Sequence, residues 1–517
     1  MTLYQEDIYL GYRYFDTFQK KVLFPFGSGL SYTSFDIVPK EVIQQDEEYE
    51  IVTEVTNTGN YAGKETIQLY LSCQNTATER PQKELKGFEK TKLLAPGESE
   101  EIHIYIERKE LAVYVEAKAS YILEKGTYCF LIGNTSNKVE TAGEIHVDED
   151  LIIKKCTNCL QIQECNVEQL RFLSAKSGEK KAEHYDNSRS ESCRSEAALK
   201  NETAELKDFS IRQLAALCVG YGPGIPFAAF SDTKNPETIF DEQGNPLTVN
   251  DHSIGTNGYV SPAIPEKGIH SIFYKDGPAG VGTGAWPTEM LISCSFNKEL
   301  WKEFGNAVGG ACEKQGVNVW LAPAVNLHRH PLCGRNFEYF SEDPYLTGMC
   351  AVQITKGVQE THNVCVCPKH FAVNEQETYR RGSAKKNYDA ADSILTERAA
   401  RELYLKPFEM LVQEAGISFI MTSFNKINGI FAGGNKDLCT HILREEWNFE
   451  GVVVTDWGDM DIVVDGGDAV AAGNDIVMPG GPPVIGQILE AYEEGRVTRT
   501  NLERSVSRLL HVLKKFS

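Results

Sequence analysis

The sequence predicts a multidomain protein in which an all-β sandwich is followed by a (β/α) barrel of the TIM type. At 517 residues the chain is too long for one compact hydrophobic core, so about two or three domains are expected. Residues 36–150 carry short alternating strands separated by turn residues. From about residue 206 to the end, short apolar strands alternate with helical patterns, which is typical of a parallel sheet covered by helices.

The first two segments differ in composition. Residues 1–35 are rich in aromatic residues and glycine and are too short to fold alone, so we predict an extended segment packed onto another part of the protein. In the second segment, residues 36–150, strands are predicted at residues 49–56, 66–71, 101–106 and 126–132. Strands at this spacing predict a β-sandwich of about 100 residues, and because it carries no catalytic cluster we expect it to act as a scaffold.

The third segment, residues 151–205, is polar and rich in Lys, Glu and Ser, which predicts a linker with some helix. The barrel is predicted at residues 206–517. Its predicted strands include 317–321, 417–421 and 451–455, and its predicted helices include 390–414, 438–447 and 501–516. A doubly wound open sheet is the alternative, although no glycine-rich dinucleotide fingerprint follows a strand.

The composition argues against several classes of function. A formal net charge of −21 argues against binding to nucleic acid and to anionic membrane surfaces. No apolar run approaches the roughly 20 residues of a membrane span, and the N-terminus carries no secretory signal. The 14 cysteines, several of them in predicted core strands, indicate free thiols in a reducing cytoplasm, so we predict a cytoplasmic protein. Cys156 and Cys159 have no matching second pair, which argues against a zinc site.

The predicted strand at 451–455 is followed directly by Asp456 and Trp457. In a parallel barrel, catalytic groups lie where strands end and loops begin. An Asp at such a position, beside a Trp that can stack on a sugar ring, suits the nucleophile of a glycosidase. The alternative is that Asp456 caps the next helix.

Polar clusters also follow other predicted strands of this region. They contain Asp276, Arg335, Lys369, His370 and Arg380. Because the ends of parallel barrel strands meet at one face, these side chains are expected to lie together. Carboxylates and cationic donors form charge-assisted hydrogen bonds to vicinal hydroxyls. The set therefore suits a polyhydroxylated ligand.

Five stretches of the barrel region resemble glycoside hydrolase family 3, whose members are mostly β-glucosidases and β-xylosidases. They are residues 275–280 (KDGPAG), 334–346 (GRNFEYFSEDPYL), 369–377 (KHFAVNEQE), 423–429 (SFNKING) and 454–458 (VTDWG). Outside the barrel, residues 80–88 (RPQKELKGF) resemble the family's fibronectin type III-like domain, and residues 24–32 (FPFGSGLSY) resemble the segment leading into it. The resemblance covers nearly all of the chain except about 151–205.

The resemblance implies a role for each candidate residue. Asp456 would be the nucleophile of a retaining mechanism. The sugar hydroxyls of the first subsite would be held by Asp276, Arg335, Lys369, His370 and Arg380. Trp457 and Met421 would shape that subsite. Because this chemistry needs only two carboxyl groups and water, no metal or organic cofactor is implied.

The domain order departs from the family's usual pattern. The barrel normally comes first, followed by an α/β sandwich domain and then the fibronectin-like domain, whereas here the fibronectin-like part precedes the barrel. Only the tail of an α/β sandwich domain is expected, within residues 1–35. That domain carries the family's general acid/base, usually a Glu, and no residue of these 517 takes over the role. We therefore expect the acid/base to come from an upstream segment or from a separate chain.

Three functions remain open at this level. The leading prediction is a β-glucosidase that acts on terminal, non-reducing β-D-glucosyl residues of a β-glucoside or oligosaccharide. A β-xylosidase is the near alternative, and a non-catalytic carbohydrate-binding derivative is the third. Phe424 is a further departure, because many relatives carry a Tyr at this position. A phenol can donate a hydrogen bond to the nucleophile and Phe cannot.

Overall fold

The structure is a computed structural model. It describes residues 1–162, 170–181, 206–220, 269, 272–282, 284–383, 388–458 and 464–516, and it gives the backbone alone for the strands at 238–240 and 246–248. Much of the predicted linker, at 163–169 and 182–205, therefore lies outside the described residues. No helix in the described part is long and apolar enough to cross a membrane.

The N-terminal segment packs onto the C-terminal domain. Strand β1 (Thr2–Leu3) lies parallel to β19 (Asp392–Ile394), and the short helix α1 (Tyr12–Thr17) follows. The ring of Tyr4 packs edge-on against Tyr404 at 5.1 Å between ring centroids. Residues 1–17 are thus fixed to the C-terminal domain by both backbone and side-chain contacts.

Antiparallel sheets form the β-sandwich. Its strands are β2 (Phe35–Gln44), β3 (Glu48–Asn57), β4 (Thr66–Gln74), β5 (Glu84–Lys90), β6 (Ser99–Glu107), β7 (Val113–Val115), β8 (Ser120–Leu123), β9 (Gly126–Thr135), β10 (Lys138–Val147) and β11 (Leu151–Lys155). The main sheets have the orders β10–β9–β4–β5 and β2–β3–β6, and a smaller sheet has the order β11–β8–β7. Alternate residues of β6, namely Ile102, Ile104 and Ile106, are buried in the core. Each of the four strands predicted from the sequence falls inside one of these strands.

The polar segment after residue 150 contains strands where helix was predicted. Strand β11 pairs with β8, so the sandwich continues to residue 155. Strands β12 (Arg171–Ser174) and β13 (Gly178–Lys181) form a short antiparallel hairpin. The prediction of helix is wrong for the described part of this segment, because its Lys-rich composition reflects exposed strand faces.

Parallel strands form the core of the C-terminal domain. They are β16 (Tyr274–Asp276), β17 (Val319–Leu321), β18 (Cys365–Val366), β20 (Phe419–Met421) and β23 (Val452–Val454). β16, β17 and β18 form one sheet, and β20 pairs with β23. Single parallel bridges continue the series, namely Phe371 to Thr422, Val454 to Ile476 and Val219 to Val477.

The closed (β/α)₈ barrel predicted from the sequence is not formed by the described residues. The parallel segments follow one another as an open arc, and no backbone pairing in the described part joins the segment at Val219 to β16. The strands are two or three residues long, and single bridges join several of them, so little pairing is available to complete a ring.

Helices pack around this arc. They are α2 (Ile211–Leu217), α3 (Glu289–Ser293), α4 (Lys298–Lys314), α5 (Pro344–Gln359), α6 (Glu397–Ala399), a π-helix (Ala400–Tyr404), α7 (Lys406–Ala415), a second π-helix (Asp437–Glu446), α8 (Gly466–Ala472), α9 (Pro482–Glu493) and α10 (Arg499–Leu513). Hairpins are formed by β14 (Thr238–Phe240) with β15 (Pro246–Thr248), and by β21 (Lys426–Ile427) with β22 (Ile430–Phe431).

The helix predicted at 390–414 begins later than expected. Residues Asp392–Ile394 form β19 instead, because they pair with β1 on one side and β21 on the other. The helix starts after Thr396, whose hydroxyl accepts a hydrogen bond from the N–H of Ala399. The early start was wrong because β19 is stabilised by strands distant in the sequence.

Candidate active site

Asp456 lies where a buried strand ends. The three valines of β23 are fully buried, and the chain then leaves the sheet at Thr455 and Asp456. The carboxylate Oδ1 accepts a hydrogen bond of 2.7 Å from the N–H of Trp457. Oδ2 has no hydrogen-bond partner among the described residues and lies 3.8 Å from both Arg380 Nη1 and His370 Nε2. One carboxylate oxygen is therefore anchored, and the other is buried near Arg380 and His370 without a hydrogen bond among the described residues.

A buried ion pair holds β23 in place. Asp475 Oδ2 accepts a hydrogen bond of 2.8 Å from the N–H of Val453 and one of 2.6 Å from Arg444, while its Oδ1 binds Arg508 at 2.8 Å. The hydroxyl of Thr455 accepts a hydrogen bond from the N–H of Met478. The strand that carries Asp456 is therefore attached to the segment behind it.

The cationic residues of the site lie on the segments that follow neighbouring strands. Lys369 forms an ion pair with Asp276, which is the last residue of β16. Arg335 contacts His370, at 2.9 Å from Nη1 to Nε2, and forms an ion pair with Glu338. The Asp276 side chain is 51% exposed whereas that of Lys369 is buried, so Asp276 is the member of its pair that is open to a ligand.

Burial and charge set the protonation states. Burial raises the pKa of the Asp456 carboxyl, and the guanidinium groups of Arg380 and Arg335 act against this rise. Burial, together with the nearby charges of Arg335 and Lys369, holds the pKa of His370 well below its usual range, so its imidazole is neutral. Desolvation raises the pKa of Asp276, but the charge and hydrogen bond of Lys369, the N–H of Gly277 and the charge of Arg335 together lower it below its usual value.

The structure brings most of the predicted site residues together. Direct contacts or ion pairs join Lys369 to Asp276, His370 to Arg335, and both His370 and Arg380 to Asp456. Trp457 is half-buried, and its ring centroid lies 6.4 Å from that of Tyr274. Met421 is buried in the core cluster at the end of β20, so it lies beneath the site and presents little surface to a ligand.

Four polar residues of the site were missed by the sequence reasoning. Asn326 forms a hydrogen bond with His370, and Glu375 forms one with Asn326. Glu338 forms an ion pair with Arg335, and Glu377 forms one with Arg380. Glu338, Glu375 and Glu377 lie inside the motifs at residues 334–346 and 369–377, so the sequence could have identified them as candidate site residues. Asn326 follows β17 and could have been found by the same strand-end argument that identified Asp456.

Two family models match this chain. The model described as the glycosyl hydrolase family 3 N terminal domain matches residues 267–512, and a fibronectin type III-like domain matches residues 65–136. Residues 267–512 of this chain are a glycoside hydrolase family 3 domain. The resemblance drawn from the sequence motifs is thereby confirmed, and so is the presence of a fibronectin-like domain ahead of the family 3 domain.

Two curated relatives of this chain are β-glucosidases. β-Glucosidase A of Butyrivibrio fibrisolvens is 34% identical over 562 residues, which cover 98% of this chain and 64% of the relative. A β-glucosidase of Ruminococcus albus is 35% identical over 533 residues, which cover 98% of this chain and 54% of the relative. The chain thus spans between about half and two thirds of the length of these two relatives.

A solved structure supports the same relationship. The β-glucosidase from Paenibacillus barengoltzii superposes with a TM-score of 0.80 at 31% identity. The match covers 99% of this chain and 59% of that one, so both domains of this chain, in this order, have a counterpart of similar fold.

Proposed function

We propose that this chain is the nucleophile-bearing part of a retaining β-glucosidase. The observation that carries the proposal is the Asp456 carboxylate, whose free Oδ2 faces Arg380 and His370 at the end of a rigid strand. The relatives, which are described as β-glucosidases, favour glucose over xylose as the sugar in the first subsite.

The proposed reaction has two steps. Asp456 Oδ2 attacks the anomeric carbon, the bond to the leaving-group oxygen breaks, and a covalent glycosyl-enzyme forms. Water then gives a proton to the general base and attacks the same carbon, which releases the sugar and restores the Asp456 carboxylate. Asp276 and the cations Arg335, Lys369 and Arg380 hold the sugar hydroxyls, while neutral His370 adds no further positive charge to the site.

We further propose that the general acid/base lies outside the described site. The carboxylates closest to the arginines, Glu338 and Glu377, form ion pairs with Arg335 and Arg380 and are held there. An α/β sandwich domain, supplied by an upstream segment or by a separate chain, would bring the missing acid. General acid catalysis typically contributes roughly 10²–10⁴-fold, so this chain alone is expected to be slow on unactivated glucosides.

Covalent labelling tests the proposal without needing the acid. A 2-deoxy-2-fluoro-β-glucoside with a dinitrophenyl leaving group should add one sugar to the intact chain, and peptide mapping should place it on Asp456. The matching 2-deoxy-2-fluoro-β-xyloside distinguishes a xylosidase, because it would then label faster than the glucoside. A folded chain that no such reagent labels would overturn the proposal and favour the non-catalytic, carbohydrate-binding alternative.

Replacing Arg380 with Gln should shift the pH dependence of labelling. Burial raises the pKa of Asp456, and Arg380 is the strongest of the groups that lower it. The ionised carboxylate is the nucleophile, so the rate falls as the pH drops through this pKa. Loss of the guanidinium raises the pKa further, and the acid limb of the rate profile should move to higher pH. Lys40→Gln, at an exposed ion pair of the sandwich, is the control and should leave the limb in place.

Replacing Phe424 with Tyr should shift the acid limb in the opposite direction. Arg380 lies over the Phe424 ring at 4.9 Å and also faces Asp456, so we expect a hydroxyl on this ring to come within reach of the unpartnered Oδ2. A hydrogen bond to the ionised carboxylate lowers its pKa. The matched control is Phe431→Tyr, whose ring lies under Lys426. An unchanged rate and pH profile for Phe424→Tyr would contradict the prediction.

A further inference from the structure

Behind His370 lies a buried amide that binds it at three points. Asn326 Oδ1 accepts a hydrogen bond of 2.8 Å from the N–H of His370 and lies 3.3 Å from His370 Nδ1. Asn326 Nδ2 donates to the carbonyl oxygen of His370 at 3.1 Å. Asn326 is fully buried, so its polar atoms depend on protein partners.

The same amide is bound on its other side by Glu375. Asn326 Nδ2 donates to Glu375 Oε1 at 3.3 Å, and the N–H of Leu327 donates to the same oxygen at 3.2 Å. Glu375 Oε2 accepts a hydrogen bond of 3.2 Å from the hydroxyl of Tyr4, in the N-terminal segment. A continuous chain of hydrogen bonds therefore runs from residue 4 to His370.

We propose that Glu375 and Asn326 are positioning residues that fix the tautomer of His370 in the sugar-binding site. The catalytic meaning of this inference rests on the proposed function. Glu375 Oε1 and the His370 carbonyl are both acceptors, so the amide of Asn326 must present its Nδ2 to them and its Oδ1 to the imidazole. Nδ1 of His370 then carries the proton, and Nε2 carries the lone pair.

The partner of Nε2 supports this assignment. Arg335 Nη1 lies 2.9 Å from His370 Nε2, and a guanidinium has only donors, so Nε2 accepts this hydrogen bond. In this tautomer His370 has no proton to donate to Asp456 Oδ2, 3.8 Å away. The arrangement keeps the proposed nucleophile free of a hydrogen bond that would weaken it.

The charge state of Glu375 does not alter the orientation of Asn326. Burial raises the pKa of Glu375 to about 7. The charged and titratable groups around Glu375 include Tyr4, Tyr404 and Arg329. The guanidinium of Arg329 lies over the Tyr4 ring at 3.8 Å and forms an ion pair with Glu6. When Glu375 is ionised, Tyr4 donates to it. When Glu375 is neutral, Tyr4 can donate to the carbonyl oxygen of Val373, 3.4 Å away. Oε1 remains an acceptor in both states.

Three variants separate a positioning role from a structural one. Glu375→Gln keeps an acceptor at Oε1 and matches the neutral acid in shape, so it should preserve the tautomer. Glu375→Met removes the acceptor, and Asn326→Ser removes the amide. Either loss loosens the amide behind His370, so the imidazole can turn away from Arg335. Nε2 is then expected to take the proton and bind Asp456. Thermal unfolding identifies which variants fold, and Asn326→Ser replaces Glu375→Met if that variant does not.

Two measurements on the full chain give independent answers. Two-bond ¹H–¹⁵N spectra of histidine-labelled protein report the tautomer, with His370 assigned through His370→Gln. The fluoroglucoside labelling reports the maximal rate constant kinact and the half-saturating concentration KI. We expect wild type and Glu375→Gln to carry the proton on Nδ1, and Glu375→Met to carry it on Nε2 with kinact reduced by about tenfold, the effect of one hydrogen bond to a charged group.

The outcomes distinguish the two proposals. Protonated Nε2 in the wild type overturns the inference, and so does a Glu375→Met variant with an unchanged tautomer and unchanged kinact. If the wild type is not labelled but its tautomer moves in Glu375→Met, the proposed function fails while the positioning role is supported.

Discussion

The Asp456→Asn variant is expected to lose covalent labelling completely and to hydrolyse dinitrophenyl β-glucoside on the order of 10⁴–10⁶-fold more slowly, the scale of loss when the nucleophile of a covalent mechanism is removed. The amide has the same shape, and its oxygen can still accept the 2.7 Å hydrogen bond from the N–H of Trp457. The loss would therefore reflect chemistry and not a local rearrangement. Single-turnover release of dinitrophenolate measures the rate, and intact mass measures the label.

The control for this variant is Asp468→Asn, which makes the same change at an exposed carboxylate bound to Arg496. It should label at the wild-type rate. Persistent labelling of Asp456→Asn, mapped to another carboxylate, would contradict the assignment of the nucleophile. Glu377 would then be the residue to replace next, because it binds Arg380 and burial raises its pKa.

The positions of site residues that directly follow a strand could be predicted before the structure. The valines before Asp456 predict a buried strand, and the position of Asp456 at its end predicts a reactive carboxylate. The polar clusters around Asp276, Lys369 and His370 follow the same rule, and the structure places them in contact. Motif residues within a few positions of a strand end are therefore well predicted by sequence.

Features that depend on distant contacts could not be predicted in this way. The start of the helix near residue 397 was misplaced because β19 is stabilised by β1, almost 400 positions earlier in the chain. The hydrogen bond between Tyr4 and Glu375 spans a similar separation, so neither residue signals it alone. Met421 is buried at the end of β20, and its role in shaping the subsite, which the family resemblance implies, stays a prediction.

The Asp475→Asn variant is expected to lower the free energy of unfolding of the C-terminal domain by about 3–5 kcal/mol. Asp475 is fully buried and compensates two guanidinium groups, those of Arg444 and Arg508. Burial and the nearby charge of Arg508 lower the pKa of Arg444 to about 10, so this arginine remains charged at neutral pH and depends on Asp475. A neutral amide would leave both arginines without their counter-charge.

Tryptophan fluorescence during urea unfolding measures this effect in one domain. All five tryptophans lie between Trp286 and Trp457, so the signal reports the C-terminal domain and not the sandwich. The exposed pair of Asp468 with Arg496 again gives the control, and Asp468→Asn should cost at most about 1 kcal/mol. Equal losses in the two variants would mean that Asp475 does not stabilise β23. A larger loss for Asp475→Asn than for Asp468→Asn would mean that the buried ion pair stabilises the domain. The same ion pair holds the strand from which Asp456 reaches the site, because Asp475 also accepts a hydrogen bond from the N–H of Val453.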